Sequence, residues 1–204
     1  MNRRKFCLSS VAAAISGAAA GLVCPPAAGQ TAALPPAGST PNVRLYKFVY
    51  DPRHSAGRAF GIAAEHARST AGIVAVGGDI TALWSRDLRP QWSAGGGAIA
   101  GMTTARTLFC LEQLAKDHWM RVVIRAEHAI SEGHEIAHRL TASEPMIARL
   151  RSTLAAEDWP SKMPAALATC QGADGTPRVT RVVGSTCDHR LAMTHEGLVS
   201  FVIT

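Results

Sequence analysis

Residues His134-Glu135-Ile136-Ala137-His138 have the types and spacing for zinc chemistry. On a helix the two histidines would project from one face with Cβ atoms about 6 Å apart, close enough to share an ion. Glu135 would then serve as general base for metal-bound water. On a strand, residues four apart also share a face but lie about 13 Å apart, too far for two imidazoles to meet on one ion. Helix and strand therefore give the same five residues opposite functions. The surrounding sequence argues for the strand. Met120 to Ile130 reads as a strand, Ser131-Glu132-Gly133 is a reverse turn, and Ile136, His138 and Leu140 alternate with Glu135, Ala137 and Arg139.

The alternative is kept because the five residues, with Gly133 before them, resemble the zinc-metallopeptidase (zincin) signature. That resemblance implies zinc as cofactor, His134 and His138 as ligands and Glu135 as catalytic base, in a small hydrolase or peptidase. A third ligand would come from Glu144, at the metzincin position, although Thr141 replaces the glycine of that motif. It would otherwise come from Glu157, nineteen residues after His138, with Asp158 beside it.

The elements that must position any chemistry follow from periodicity. Val43 to Tyr50 is β-branched and aromatic, a strand ending at Asp51-Pro52. Ser55 to Ser69 has amphipathic helical spacing, and Ile73 to Val76, bounded by glycines, suits a buried strand. Asp79 can cap a helix reaching Pro90. Trp92 to Gly101 reads as a Gly-rich loop, Thr103 or Thr104 as the cap of a helix to about His118, and Met120 to Ala126 as a third parallel strand. Arg178 to Val183, Arg190 to Thr194 and Leu198 to Ile203 alternate around polar turns and are expected to complete or cover the sheet edge. The expected fold is α/β: a three-layer domain with a mixed, partly parallel sheet and antiparallel C-terminal strands.

In such a sheet, ligands bind beyond the carboxyl ends of the strands, above all where strand order reverses. The residues expected there are Asp51, Arg53 and His54 after the first strand, Asp79 after the second, and Arg125 and His128 at the end of the third. A carboxylate, an arginine and a histidine so placed would hold a small polar ligand or run metal-free acid/base chemistry. The bland readings are Asp79 as a helix cap and Asp51 with Arg53 as a loop ion pair. Neither Gly77-Gly78-Asp79 nor Gly95-Gly96-Gly97 forms a dinucleotide fingerprint or a phosphate loop.

The formal charge of +6 over 204 residues invites a nucleic-acid reading, but three basic residues are Arg3, Arg4 and Lys5. Residues 30 to 204 carry 18 basic against 15 acidic side chains, a net +3 without a basic stripe, which argues against nucleic acid as partner. The opening Met1-Asn2-Arg3-Arg4-Lys5-Phe6 and the mildly apolar run Leu8 to Val23 resemble a twin-arginine (Tat) signal peptide. The run is 16 residues long, short of the ~20 needed to span a bilayer. The resemblance implies recognition by the Tat translocation machinery through Arg3 and Arg4, a signal over residues 1–29 and no stable membrane anchor after cleavage. It also implies delivery to the periplasm or beyond, together with a co-exported redox or catabolic protein as partner. Residues 30–41 then form a Pro/Ala-rich flexible linker and residues 42–204 a single domain.

An exported chain meets oxidising conditions. Cys170 and Cys187 flank a turn-rich stretch and are expected to form a disulfide stabilising by ~3 kcal/mol, while Cys110, within a helical apolar pattern, is expected in the core. Taken together, these residues describe an exported binding or accessory protein, with the zinc hydrolase and the metal-free strand-end enzyme as alternatives.

Overall fold

The computed structural model describes residues 44–67, 71–130, 136–170, 172, 176–184 and 197–204. All lie within one compact unit, Gly38–Thr204. Seven strands form one mixed sheet: β1 (Leu45–Tyr50), β2 (Gly72–Ala75), β3 (Ala98–Thr104), β4 (Val122–Ile130), β5 (Ile136–Ser143), β6 (Arg178–Gly184) and β7 (Leu198–Ile203). Their order is β2-β1-β3-β7-β4-β5-β6. β1 runs parallel to both β2 and β3, and every other neighbouring pair is antiparallel.

Apolar residues on both faces make this a three-layer α/β domain. One face carries α1 (Ser55–His66), α5 (Glu144–Leu154) and α6 (Trp159–Ala168), whose Phe60, Ala64, Ile147, Leu150, Trp159 and Met163 join Phe48, Met102, Ile124, Leu140 and Val202. The other carries α2 (Thr81–Leu83), a π turn (Trp84–Leu88), α3 (Arg89–Ser93) and α4 (Ala105–Lys116). Their Leu83, Leu88, Trp92, Leu108, Leu111 and Ala115 meet Val49, Ile99, Val199 and Phe201. No helix among the described residues is long and apolar enough to cross a membrane.

Three expectations are corrected. The expected loop from Trp92 to Gly101 contains the start of β3, which is buried at every position and lies beside β1. Small residues, usually poor strand formers, are required here: a Cβ on Gly101 would stand 2.2 Å from the Val49 carbonyl oxygen and 2.9 Å from the Phe201 ring. β3, not the 120–126 run, is therefore the third parallel strand. Leu198–Ile203 does not cover an edge but fills the centre of the sheet, buried throughout between β3 and β4. A strand buried on both faces reads as the continuous apolar run seen here, whereas β6, one of the two edges, is mostly exposed. Cys110 is exposed, because α4 buries Thr107, Leu108, Leu111 and Ala115 and turns position 110 away from that stripe. Residues 190–194 lie outside the described residues.

Candidate functional site

The order β2-β1-β3 reverses direction at β1. The helices that follow β1 and β3, α1 and α4, go to opposite faces, the arrangement in which ligand crevices form beyond the carboxyl ends of neighbouring strands. Asp51, the residue after β1, lies there fully buried, its backbone N–H donating to the Met102 carbonyl at 2.9 Å. Its Oδ1 accepts from the Arg53 backbone N–H and from Arg53 Nε, each at 3.0 Å, and its Oδ2 accepts from Arg53 Nη2 at 2.6 Å. One carboxylate thus closes an Asx turn and grips a guanidinium in the same fork. Burial raises the Asp51 pKa, but the Arg53 hydrogen bonds and the charges of Arg53 and His54 outweigh it and hold the carboxyl below its usual range.

The rest of the loop is held as firmly. Arg58 Nη1 donates to the Pro52 carbonyl at 2.8 Å, and the first α1 hydrogen bond runs from the Arg58 N–H to the His54 carbonyl at 2.9 Å. α1 sits so close that a Cβ on Gly57 would stand 2.1 Å from the Asp51 carbonyl oxygen. The Arg53 side chain is 55% exposed, and its Nη2 passes 3.3 Å from where a Cβ on Gly78, at φ +101°, would be. Across the crevice, the Thr104 hydroxyl caps α4 by accepting from the Thr107 N–H. The result is a preorganised arginine at the mouth of a strand-end crevice, with half-buried His54 beside it at the start of α1.

Asp79 contributes a cap and no site. It is exposed and its Oδ1 accepts from the Thr81 N–H at 2.8 Å, a bond that lowers its pKa. Arg125 and His128 are corrected as well. Arg125 lies in mid-β4, paired with Glu127 at 3.1 Å and Glu112 at 3.6 Å, since the strand continues to Ile130. His128 points into the core on the α5–α6 face.

There the structure builds a polar cluster that the sequence reading did not anticipate. The β4–β5 register is symmetric about position 133 and sets His128 opposite His138. Their Nδ1 atoms are 2.8 Å apart, His128 Nε2 is 2.8 Å from Ser200 Oγ, and Trp159 stacks on His128 with centroids 4.2 Å apart. The Leu154 backbone also acts on His138, raising its pKa against the effect of burial. The two rings and the hydroxyl form one hydrogen-bonded chain, in which one Nδ1 donates and the other accepts. Burial keeps both rings neutral, pushing His138 down to about 4 and His128 well below its ordinary value. A serine hydroxyl bonded to a histidine that a third group orients has the connectivity of an activated nucleophile. Ser200, His128 and His138 are nevertheless all buried, so no substrate carbonyl reaches the hydroxyl unless the core opens.

The helix required by the zinc reading is absent over Ile136 to His138, which begin β5, and His138 Nδ1 is engaged by His128. His134 and Glu135 lie outside the described residues. Glu144 pairs with Arg181 and Asp158 with Lys162, so neither is turned to His138. Among the described residues, no three His, Cys, Asp or Glu side chains are grouped to hold a metal ion. Cys170 is buried, which pushes its thiol pKa up, and Cys187 lies outside the described residues.

The turn read at Ser131-Glu132-Gly133 is centred on position 132 and would set His128 opposite Ile136, whereas the observed register is centred one residue later and pairs His128 with His138. Nothing local pointed to Ser200, which is brought in by a strand 62 residues further on. Comparison with protein-family models, curated proteins and solved structures finds no significant match.

Proposed function

We propose that the chain is an exported binding or accessory protein whose ligand site is the crevice at the carboxyl ends of β1 and β3, with Arg53 as the anchor for a small anionic ligand. The observation that carries this reading is the buried Asp51 carboxylate, which aims Arg53 and is itself fully occupied in doing so. A guanidinium fixed in advance loses little freedom on meeting a carboxylate or phosphate. Binding is favoured over acid/base catalysis because both carboxylates near the crevice are engaged, Asp51 by Arg53 and Asp79 by Thr81, with pKa values moved away from neutrality. Export rests on the Arg3-Arg4 signal resemblance, and a periplasmic location and a co-exported partner belong to the same reading.

Titration of the chain with succinate and with inorganic phosphate tests the site. Binding by either that weakens about tenfold in Arg53→Ala supports it, since one charge-assisted pair is removed. Failure of both ligands, or unchanged affinity in Arg53→Ala, sinks it. Replacement of Arg3 and Arg4 by lysine tests export separately, and unchanged delivery of that variant would count against the Tat route.

A further inference from the structure

We propose that a cavity at the opposite, amino-terminal ends of the same three parallel strands is a second ligand site, for an organic acid or phosphate whose anionic group meets Arg44 and Lys47. The cavity is open on one side and has a volume of about 800 Å³. Arg44, Tyr46 and Lys47 line it from the start of β1, Gln91 from α3, and Gly95 to Gly97 from the loop entering β3.

The glycine loop gives the cavity its room. Gly95, Gly96 and Gly97 have φ values of 116°, 98° and 148°, where side-chain-bearing residues are strained. A Cβ on Gly95 or Gly96 would meet nothing within 4 Å, whereas one on Gly97 would stand 2.9 Å from Tyr46 Cβ. The loop therefore presses on β1 at Gly97 and stands open one and two residues earlier. It is also braced: Gln91 Nε2 donates to the Gly96 carbonyl at 2.6 Å, Trp92 Nε1 to the Gly97 carbonyl at 3.1 Å, and the Gly96 N–H to the Gln91 carbonyl at 3.2 Å. A floor already ordered does not have to be fixed by the ligand.

The charges indicate what the cavity takes. The Lys47 side chain is 13% exposed and pairs with Asp87 at 2.9 Å, within the π turn, a local geometry that recurs at functional sites. An ammonium has three N–H donors, so this pair leaves donors for a ligand oxygen. Arg44 is exposed and has no ion-pair partner among the described residues, and its fork matches two oxygens of a carboxylate or phosphate. The half-buried Tyr46 ring offers an apolar wall for the carbon body of the ligand.

An NMR titration of the isotope-labelled full chain with inorganic phosphate and, separately, with benzoate tests the site. Saturable shifts at the Gly95, Gly96 and Gly97 amides are expected with at least one probe. Arg44→Ala, at an exposed position that does not hold the fold together, should weaken that binding about tenfold, and Arg53→Ala should leave it unchanged. Shifts with benzoate alone assign a carboxylate with an apolar body, with phosphate alone a phosphate, and with both the shared anion. Silent glycine amides with both probes overturn the proposal. So does unchanged affinity in Arg44→Ala or loss in Arg53→Ala.

Discussion

Two polar clusters among the described residues differ in what surrounds them. The Asp51–Arg53 pair is buried at one end and open at the other: the carboxylate is inaccessible while more than half of the arginine side chain meets solvent. The His128–His138–Ser200 chain is closed at both ends, by Leu154 and by the body of β7. Both are hydrogen-bonded and both have displaced pKa values, yet only the first presents a charge outward. Perturbed titration and a suggestive donor–acceptor order therefore do not by themselves mark a site, and access separates a binding group from a structural one.

Substitutions sharpen that contrast, beginning with the core. His128→Ala removes a packed ring and leaves the Ser200 hydroxyl and His138 Nδ1 without their partner. It should cost about 3–5 kcal/mol in chemical denaturation, and a loss below about 1 kcal/mol would mean that the cluster is not held as described.

Acid should act next. His138 is neutral in the fold with its pKa lowered from 6.5 to about 4, so the unfolded chain takes up the proton first. The stabilisation is complete above about pH 6.5 and is lost as pH falls from there toward 4, by about 3 kcal/mol, with His128 adding in the same direction. Asp51, a carboxylate with a lowered pKa, contributes stability that persists to more acidic pH and fades only below its ordinary value of 3.8. Stability measured against pH should thus begin to fall near pH 6.5, before Asp51 titrates, and keep falling below 3.8. A single loss confined to pH values under 3.8 would contradict the neutral histidine pair.

Smaller effects belong to the crevice. Asp51→Asn keeps the shape but weakens the hold on Arg53, at about 1–2 kcal/mol, because part of the interaction is screened by solvent at the exposed end. Arg53→Ala leaves the buried Asp51 carboxylate with the Arg53 backbone N–H alone and should cost about 1–2 kcal/mol of unfolding free energy while weakening ligand binding about tenfold. A loss as large as that of His128→Ala would make Arg53 a structural residue and erase the distinction between the two regions.

Much of the framework was legible in local sequence. The β-branched run ending at Asp51, the Thr104 cap, the strand spacing of residues 136–140 and the α/β alternation all depend on neighbours along the chain. Less legible was β3, where Ala98, Ala100 and Gly101 look like loop residues until Val49 and Phe201 are placed against them. Arg125 and His128 were expected at the end of a parallel strand closing at Ala126, yet the hairpin reading of the same stretch requires a strand to Ile130, with Arg125 in its middle.

By itself, the sequence determined the α/β class, the positive φ-tolerant glycine turns and the Asp51-Pro52-Arg53 turn that joins carboxylate to arginine, since all of these are settled within a few residues. Only the tertiary structure decided that β7 enters the centre of the sheet and delivers Ser200 to His128, and that β1 is the strand where the order reverses. Those outcomes depend on which distant strands pair. Pairing is chosen by the apolar area that each arrangement buries across the whole sheet, a quantity no local window contains.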